Sequence, residues 1–311
     1  MQSSPTSEFP ARHRLLLVDG HAFAYRAFFA IRSLSSPDGA ATNAIYGFIR
    51  MLGRMQPKVK PSHLAVVWDG GLAAERMALL PQYKAQRPEM PRDLELQLDQ
   101  IVAYLRAAGI VSLLQDSLEA DDVIAALTRQ AVADGMEVVI ASSDKDFMQL
   151  VSPDVRLLNP QDKTDTLWGA EEVRAKTGVE PTQIVDWLSL IGDAVDNIPG
   201  VSGVGAKTAT NLLRQFGSMD GVYQRLEEVH SDRLRVNLKV SEEVVRRNQE
   251  LVRLKCDVPC GVSLEELACK PGDAVALRGL YARWGFKSLL RELDETRVPA
   301  GDFFPETAGA C

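Results

Sequence analysis

The sequence predicts an α/β fold, with a central, mostly parallel sheet flanked by helices and a helical C-terminal region after it. Three observations carry this. Apolar runs at 15–18, 64–68 and 138–141 are short, continuous and bounded by polar residues, as strands buried on both faces are. Helical patterns separate these runs, the alternation that builds parallel sheets. From about residue 181 the chain turns to helices and glycine-punctuated loops.

The elements follow in order. Leu15-Leu16-Leu17-Val18 leads into Asp19, and Leu64-Ala65-Val66-Val67-Trp68 leads into Asp69. Leu94, Leu98, Ile101, Leu105 and Ala108 form a 3.6-residue stripe that stops at Gly109. Asp116 and Glu119 have capping-box spacing ahead of the run 123–132, and Gly135 closes it. Val138-Val139-Ile140-Ala141 runs through two serines to Asp144 and Asp146. Residues 181–191 read as a helix, followed by GDAVDN (192–197) and then a glycine-rich turn into an amphipathic helix (198–218). Further helices are expected over 241–253 and 273–284. The expected division is a flexible start (1–13), an α/β domain (14–180) with an excursion at about 70–95, a helical region (181–292) and a loose tail (293–311).

Composition excludes several classes. No run approaches the ~18 apolar residues that a membrane-spanning helix needs. The opening MQSSPTSEFPARHR has no apolar stretch behind a basic one, so no secretory signal is expected. Cys256, Cys260, Cys269 and Cys311 give no disulfide framework, and a reducing, cytoplasmic setting is the expectation. Cys256 and Cys260 have metal-like spacing, but no second pair completes a zinc site.

In open α/β sheets ligands bind outside the carboxyl ends of the strands. Parallel strands bring those ends to one edge, so Asp19, Asp69, Asp144 and Asp146 should converge. One such Asp is most simply a turn former or helix cap; three strands ending alike weaken that reading. Glu119, Asp121 and Asp122 open a predicted helix, where acids also suit the helix dipole. At ~100° per residue Glu119 and Asp122 share a face, with Asp121 to the side. Asp193 and Asp196 complete a set of nine.

Nine carboxylates ionise together only against opposing charge. An all-oxygen set without His or Cys suits Mg²⁺ or Mn²⁺. Two such ions serve phosphoryl chemistry. The net charge of −7 would argue against a nucleic-acid partner, but setting these nine aside leaves 33 acids against 35 Lys and Arg.

VDGHAFAYRAFFA (18–30), YGFIRML (46–52), YKAQRP (83–88), EADDVIAAL (119–127), SSDKDFMQLV (142–151), GDAVDNIPGVSGVGAKTATNLL (192–213) and DVP (257–259) together resemble the 5′-nuclease domain of bacterial DNA polymerase I, of the flap endonuclease superfamily. The resemblance covers about 14–290. It implies a resolvase-like (PIN-like) α/β fold with a helix–hairpin–helix element, and metal-dependent hydrolysis of DNA at 5′ ends and 5′ flaps. With no polymerase domain following, a stand-alone enzyme is expected, active as a monomer on branched or nicked duplex DNA and associated with the bacterial nucleoid.

By resemblance, Asp19, Asp69, Glu119, Asp121, Asp122 and Asp144 would hold the nearer of two Mg²⁺ (or Mn²⁺) ions, and Asp146, Asp193 and Asp196 the second. Lys84 and Arg87, in the family's helical arch, are candidates for gripping the scissile or adjacent phosphate. Tyr25 and Arg26 match positions beside the terminal nucleotides, and Arg76 and Tyr83 are candidate DNA contacts. Gly200, Gly203, Gly205 and Lys207 match the element that holds the duplex, with a monovalent ion such as K⁺ on its carbonyls. The segment 68–72 is richer in glycine than the family pattern, and Met77 stands where the family often has His. An RNA-cleaving nuclease of related acidic architecture and a non-catalytic branched-DNA binder remain as alternatives.

Overall fold

The computed structural model describes residues 12–71, 73–160 and 166–295; of the expected flexible start (1–13) and loose tail (293–311), only 12–13 and 293–295 lie within them, the latter as the end of a helix rather than a tail, and Leu72 lies outside. The chain runs β1 (Arg14–Asp19), α1 (Gly20–Ala30), α2 (Asn43–Val59), β2 (His63–Trp68), α3 (Ala74–Leu79), α4 (Arg92–Ala107), β3 (Val111–Leu114), α5 (Ala120–Ala133) and β4 (Glu137–Ala141). A 3₁₀ turn (Lys145–Leu150), β5 (Val155–Leu158), β6 (Leu167–Trp168) and α6 (Ala170–Thr177) follow. The remainder comprises α7 (Ile184–Ile191), the small hairpin β7 (Gly192–Asp193) and β8 (Ile198–Pro199), then α8 (Ala206–Phe216), α9 (Met219–Gln224), α10 (Asp232–Val240), α11 (Glu242–Val252), α12 (Ala274–Trp284) and α13 (Lys287–Glu295).

The sheet order is β3-β2-β1-β4-β5-β6. Every pairing is parallel except β5 with β6. The three strands expected from the apolar runs are therefore its centre, with β1 between β2 and β4. Period-two alternation divides their side chains between two cores. Leu15, Leu17, Val67 and Ile140 face one core with α5 and the helical region; Leu16, Val18, Val66 and Val139 face the other with α1, α2 and α4.

Two expectations change. Asp116 and Glu119 make no capping box: α5 begins at Ala120, and its N-cap Glu119 makes no side-chain capping bond. Its carboxylate turns instead toward Arg76 and Lys84, with Oε1 also accepting from the Ala73 N–H at 3.4 Å. The helical region also does not stay together. α12 and α13 return to the opposite face of the sheet, where Tyr281 stacks near Tyr104 and the Arg50 guanidinium donates to Glu292 at 2.7 Å.

Candidate active site

β1 and β2 end side by side, with Asp19 in register with Val67. Asp19 doubles as the N-cap of α1: its Oδ1 accepts from the Ala22 N–H at 3.0 Å, while Oδ2 accepts from the Ser142 hydroxyl at 2.9 Å. Asp69 follows β2 and accepts from the Ala120 N–H at 2.9 Å, tying the end of the strand to the start of α5. Only glycine fits next to it, because a Cβ on Gly70 would lie 1.8 Å from the Gln115 carbonyl oxygen. Asp144 caps the 3₁₀ turn beyond β4, its Oδ1 accepting from the Asp146 N–H at 2.9 Å. The strand-end acids are thus turn formers and caps, and they also converge.

Asp19, Asp69, Glu119, Asp121 and Asp144 line one cavity of about 570 Å³, facing Lys84 and Arg87. Tyr25 lines it too; Arg26, the next residue, is exposed and does not. Asp146, Asp193 and Asp196 do not line this cavity, but Asp193 and Asp196 lie close enough to act on the ionisation of both Asp144 and Asp146. Asp193 is the last residue of β7, paired with Ile198 across the hairpin, and before it Gly192 takes a positive φ of 73° and has no room for a side chain.

Burial and like charge act together on these groups. Burial, then Asp69 and Asp144, push Asp19 up to about 6 against the hydrogen bonds from Ala22 and Ser142. Burial and the charges of Asp144, Asp19 and Asp69 hold Asp121 well above the usual carboxylate range. Asp144 and Asp146 are raised as well, first by burial. Asp69 departs from the pattern. Burial pushes it up, but His21, the Ala120 N–H and Lys84 outweigh that and leave it low.

Cations stand against the acids. The Lys84 ammonium donates to Glu119 Oε2 at 2.9 Å, Arg87 to Asp196 at 2.7 Å and Lys145 to Asp193 at 2.6 Å. Burial would lower Lys84, yet Glu119 and Asp196 keep its ammonium protonated. Lys84 itself has a left-handed φ of 57°, and its N–H donates to the Asp196 carbonyl at 3.0 Å. The excursion is thereby docked onto the loop carrying the distal acids.

Three expected roles are corrected. Asp122 does not line the cavity: both of its oxygens accept from Arg76, at 2.7 and 2.8 Å, and Oδ1 also accepts from the Lys255 N–H. With each oxygen already used by a buried donor, it is an anchor rather than a free ligand. Arg76, expected on DNA, is 2% exposed and bonds Glu119, Asp122 and the carbonyls of Leu251 and Arg253. Tyr83, another expected DNA contact, is 3% exposed, with its hydroxyl 3.2 Å from Glu119. Gly200, Gly203, Gly205 and Lys207 are exposed around the start of α8.

Sequence reasoning missed His21, whose Nδ1 lies 3.2 Å from the Asp69 N–H and 3.3 Å from its Oδ2. It also missed Ser142 and Lys145. Ser142 and Lys145 stand within motif 142–151, beside Asp144, and that adjacency was the available signal.

The site fits divalent cations. All of its acidic donors are hard oxygens, and Asp146 Oδ1 is buried with no hydrogen-bond partner. Among the described residues, no three His, Cys, Asp or Glu side chains already close on one point as a finished metal shell. The acids instead line the cavity walls, as mutually repelling charges do. The unpartnered oxygen and the raised acids are the features an added cation would relieve.

Two family models match in succession, the 5'-3' exonuclease N-terminal resolvase-like domain over 14–178 and the 5'-3' exonuclease C-terminal SAM fold over 179–275. A 5'-3' exonuclease of Aquifex aeolicus is 40% identical over 281 residues, covering 90% of this chain and 95% of that protein. DNA polymerase I of Bacillus caldotenax is 36% identical over 91% of this chain, which spans only 32% of that polymerase. Solved structures share the fold. A bacteriophage T5 5'-exonuclease with bound zinc has a TM-score of 0.65 at 22% identity, covering 91% of this chain and 98% of that one. The catalytic core of Rad2 with DNA substrate has a TM-score of 0.62 at 17% identity, covering 92% and 93%. With the two matched domains spanning residues 14–275 and relatives 36–40% identical along nine-tenths of the sequence, this chain belongs to the 5'-3' exonuclease family.

Proposed function

We propose that the chain is a structure-specific 5′ nuclease that hydrolyses DNA phosphodiesters at 5′ ends and 5′ flaps with two divalent cations. The observation that carries this reading is the meeting of Asp19, Asp69, Asp121 and Asp144 in one cavity that Lys84 and Arg87 also line. Those four acids, with Glu119 behind them, would hold one Mg²⁺ or Mn²⁺, and Asp146, Asp193 and Asp196 a second. When bound, such ions lower the pKa of a water and stabilise the attacking and leaving oxygens of the phosphodiester.

The chain's own residues supply the rest. Lys84 and Arg87 place positive charge where negative charge grows on the phosphate. Arg87 is 43% exposed, free to move from Asp196 to a substrate oxygen, whereas Lys84 is buried and held in place. Tyr25 presents its ring beside the cavity to the terminal nucleotides, and Arg26 offers a cation on the exposed side of α1. The exposed turn at Gly200, Gly203 and Gly205, with Lys207, reads as a helix–hairpin–helix element holding duplex phosphates, with a monovalent cation such as K⁺ on its carbonyls. Glu119 is the buried acceptor that fixes Lys84, Tyr83 and Arg76.

A 5′-labelled flap DNA, incubated with Mg²⁺ and with EDTA, tests the proposal. Cleavage near the flap junction only with Mg²⁺, and its loss in Asp144→Ala with retained folding, is expected. Equal binding with Mg²⁺ or Ca²⁺ and cleavage with neither would leave a DNA binder instead. Preferred cleavage of single-stranded RNA would point to an RNA-cleaving enzyme.

A further inference from the structure

At its end, over 251–255, α11 gives way to irregular backbone after Val252, and the polar groups freed there are satisfied by side chains. Arg76 donates to the Leu251 and Arg253 carbonyls at 3.0 and 3.2 Å, and Asp122 accepts from the Lys255 N–H at 2.9 Å. Gln149 takes the middle. Its Nε2 donates to the Val252 carbonyl at 2.9 Å, and its Oε1 accepts from the Leu254 N–H at 3.0 Å.

The same Nε2 donates at 2.9 Å to the carbonyl of Asp146, three residues earlier in the 3₁₀ turn. One amide therefore ties the turn carrying Asp144 and Asp146 to the end of α11. One helical turn back, Asn248 is fully buried and donates to the carbonyls of Ser189 and Pro199, at 3.0 and 2.7 Å. Pro199 ends β8, which leads straight into the turn at 200–205. A single stretch of helix, about 6 Å long between residues 248 and 252, thus spans from the glycine turn to the acid turn.

We infer that Gln149 is a positioning residue that sets the register between the duplex-holding turn and the acid cluster, and so decides which phosphodiester is cut. This rests on the 5′-nuclease reading above. A Gln149 that only satisfies backbone groups would affect stability and leave the cut position alone.

The test compares wild type with Gln149→Met, which keeps the side-chain length and loses every hydrogen bond, and with Gln149→Asn, which keeps the amide but shortens it. Three quantities are read: cut position and single-turnover rate on the labelled flap with Mg²⁺, duplex affinity in EDTA, and hydrogen exchange across 252–255. The expected result is cleavage slowed about tenfold or more, cuts spread over neighbouring phosphodiesters, faster exchange at 252–255 and unchanged duplex affinity. If one variant does not fold, the other is read by the same criteria. A wild-type cut position and rate in a folded variant overturns the inference, whatever its melting temperature. A wild type that leaves flap DNA intact overturns the nuclease reading itself, and this inference with it.

Discussion

The Lys84 ammonium donates to Glu119 Oε2 at 2.9 Å, with both side chains almost wholly buried at the wall of the acid-lined cavity. A buried cation so placed lowers the repulsion among the acids, and under the proposed function it would meet the phosphate. Glu119 does not depend on it alone, since Arg76 and Tyr83 donate to the same oxygen.

Lys84→Ala should therefore fold, because two donors remain on Glu119, yet cleave slowly. We expect a single-turnover rate lower by roughly 10²-fold or more, with DNA affinity little changed. Rapid-quench kinetics at saturating enzyme check this, and an unchanged rate would remove Lys84 from the chemistry.

Arg76 has a different fate. Arg76→Ala leaves the carboxylates of Asp122 and Glu119 buried beside an empty space. It should destabilise the protein by roughly 3–5 kcal/mol, the usual cost of breaking a buried ion pair from one side. Urea denaturation measures it. A loss of DNA affinity with full stability would restore Arg76 as a DNA contact.

Stability should also depend on pH in a definite direction. Asp19 is pushed up to about 6, and Asp121, Asp144 and Asp146 are raised, so the folded protein takes up protons where the unfolded chain has released them. These groups thus make the metal-free protein less stable as pH rises from the ordinary carboxylate range through about 6. In EDTA the melting temperature should be higher at pH 5 than at pH 7.5, and added Mn²⁺ should raise it more at pH 7.5. A metal-free protein that melts lower at pH 5 would contradict the raised acids.

Much of this was legible in the sequence because it is local. Three apolar runs ending in Asp19, Asp69 and the Asp144 turn fix both the centre of the sheet and the edge at which acids gather. β3, with four residues, and β6, with two, are too short to leave a periodic signature. The pairing of Arg76 with Asp122 was not legible either. It joins residues far apart in the chain, and neither carries a local sign that its partner will be buried beside it. The same holds for α12 and α13, whose apolar stripes are visible but whose choice of sheet face is not.

Under the proposed function, acids from separate strands hold one cation in the cavity, and the neighbouring Asp146 and Asp193 help to hold a second. Anomalous diffraction from a crystal soaked in Mn²⁺ tests it most directly. The expected map shows one Mn²⁺ coordinated among Asp19, Asp121 and Asp144, and a second near Asp146 and Asp193. Full Mn²⁺ occupancy elsewhere, with these carboxylates still bound only to protein, would contradict it.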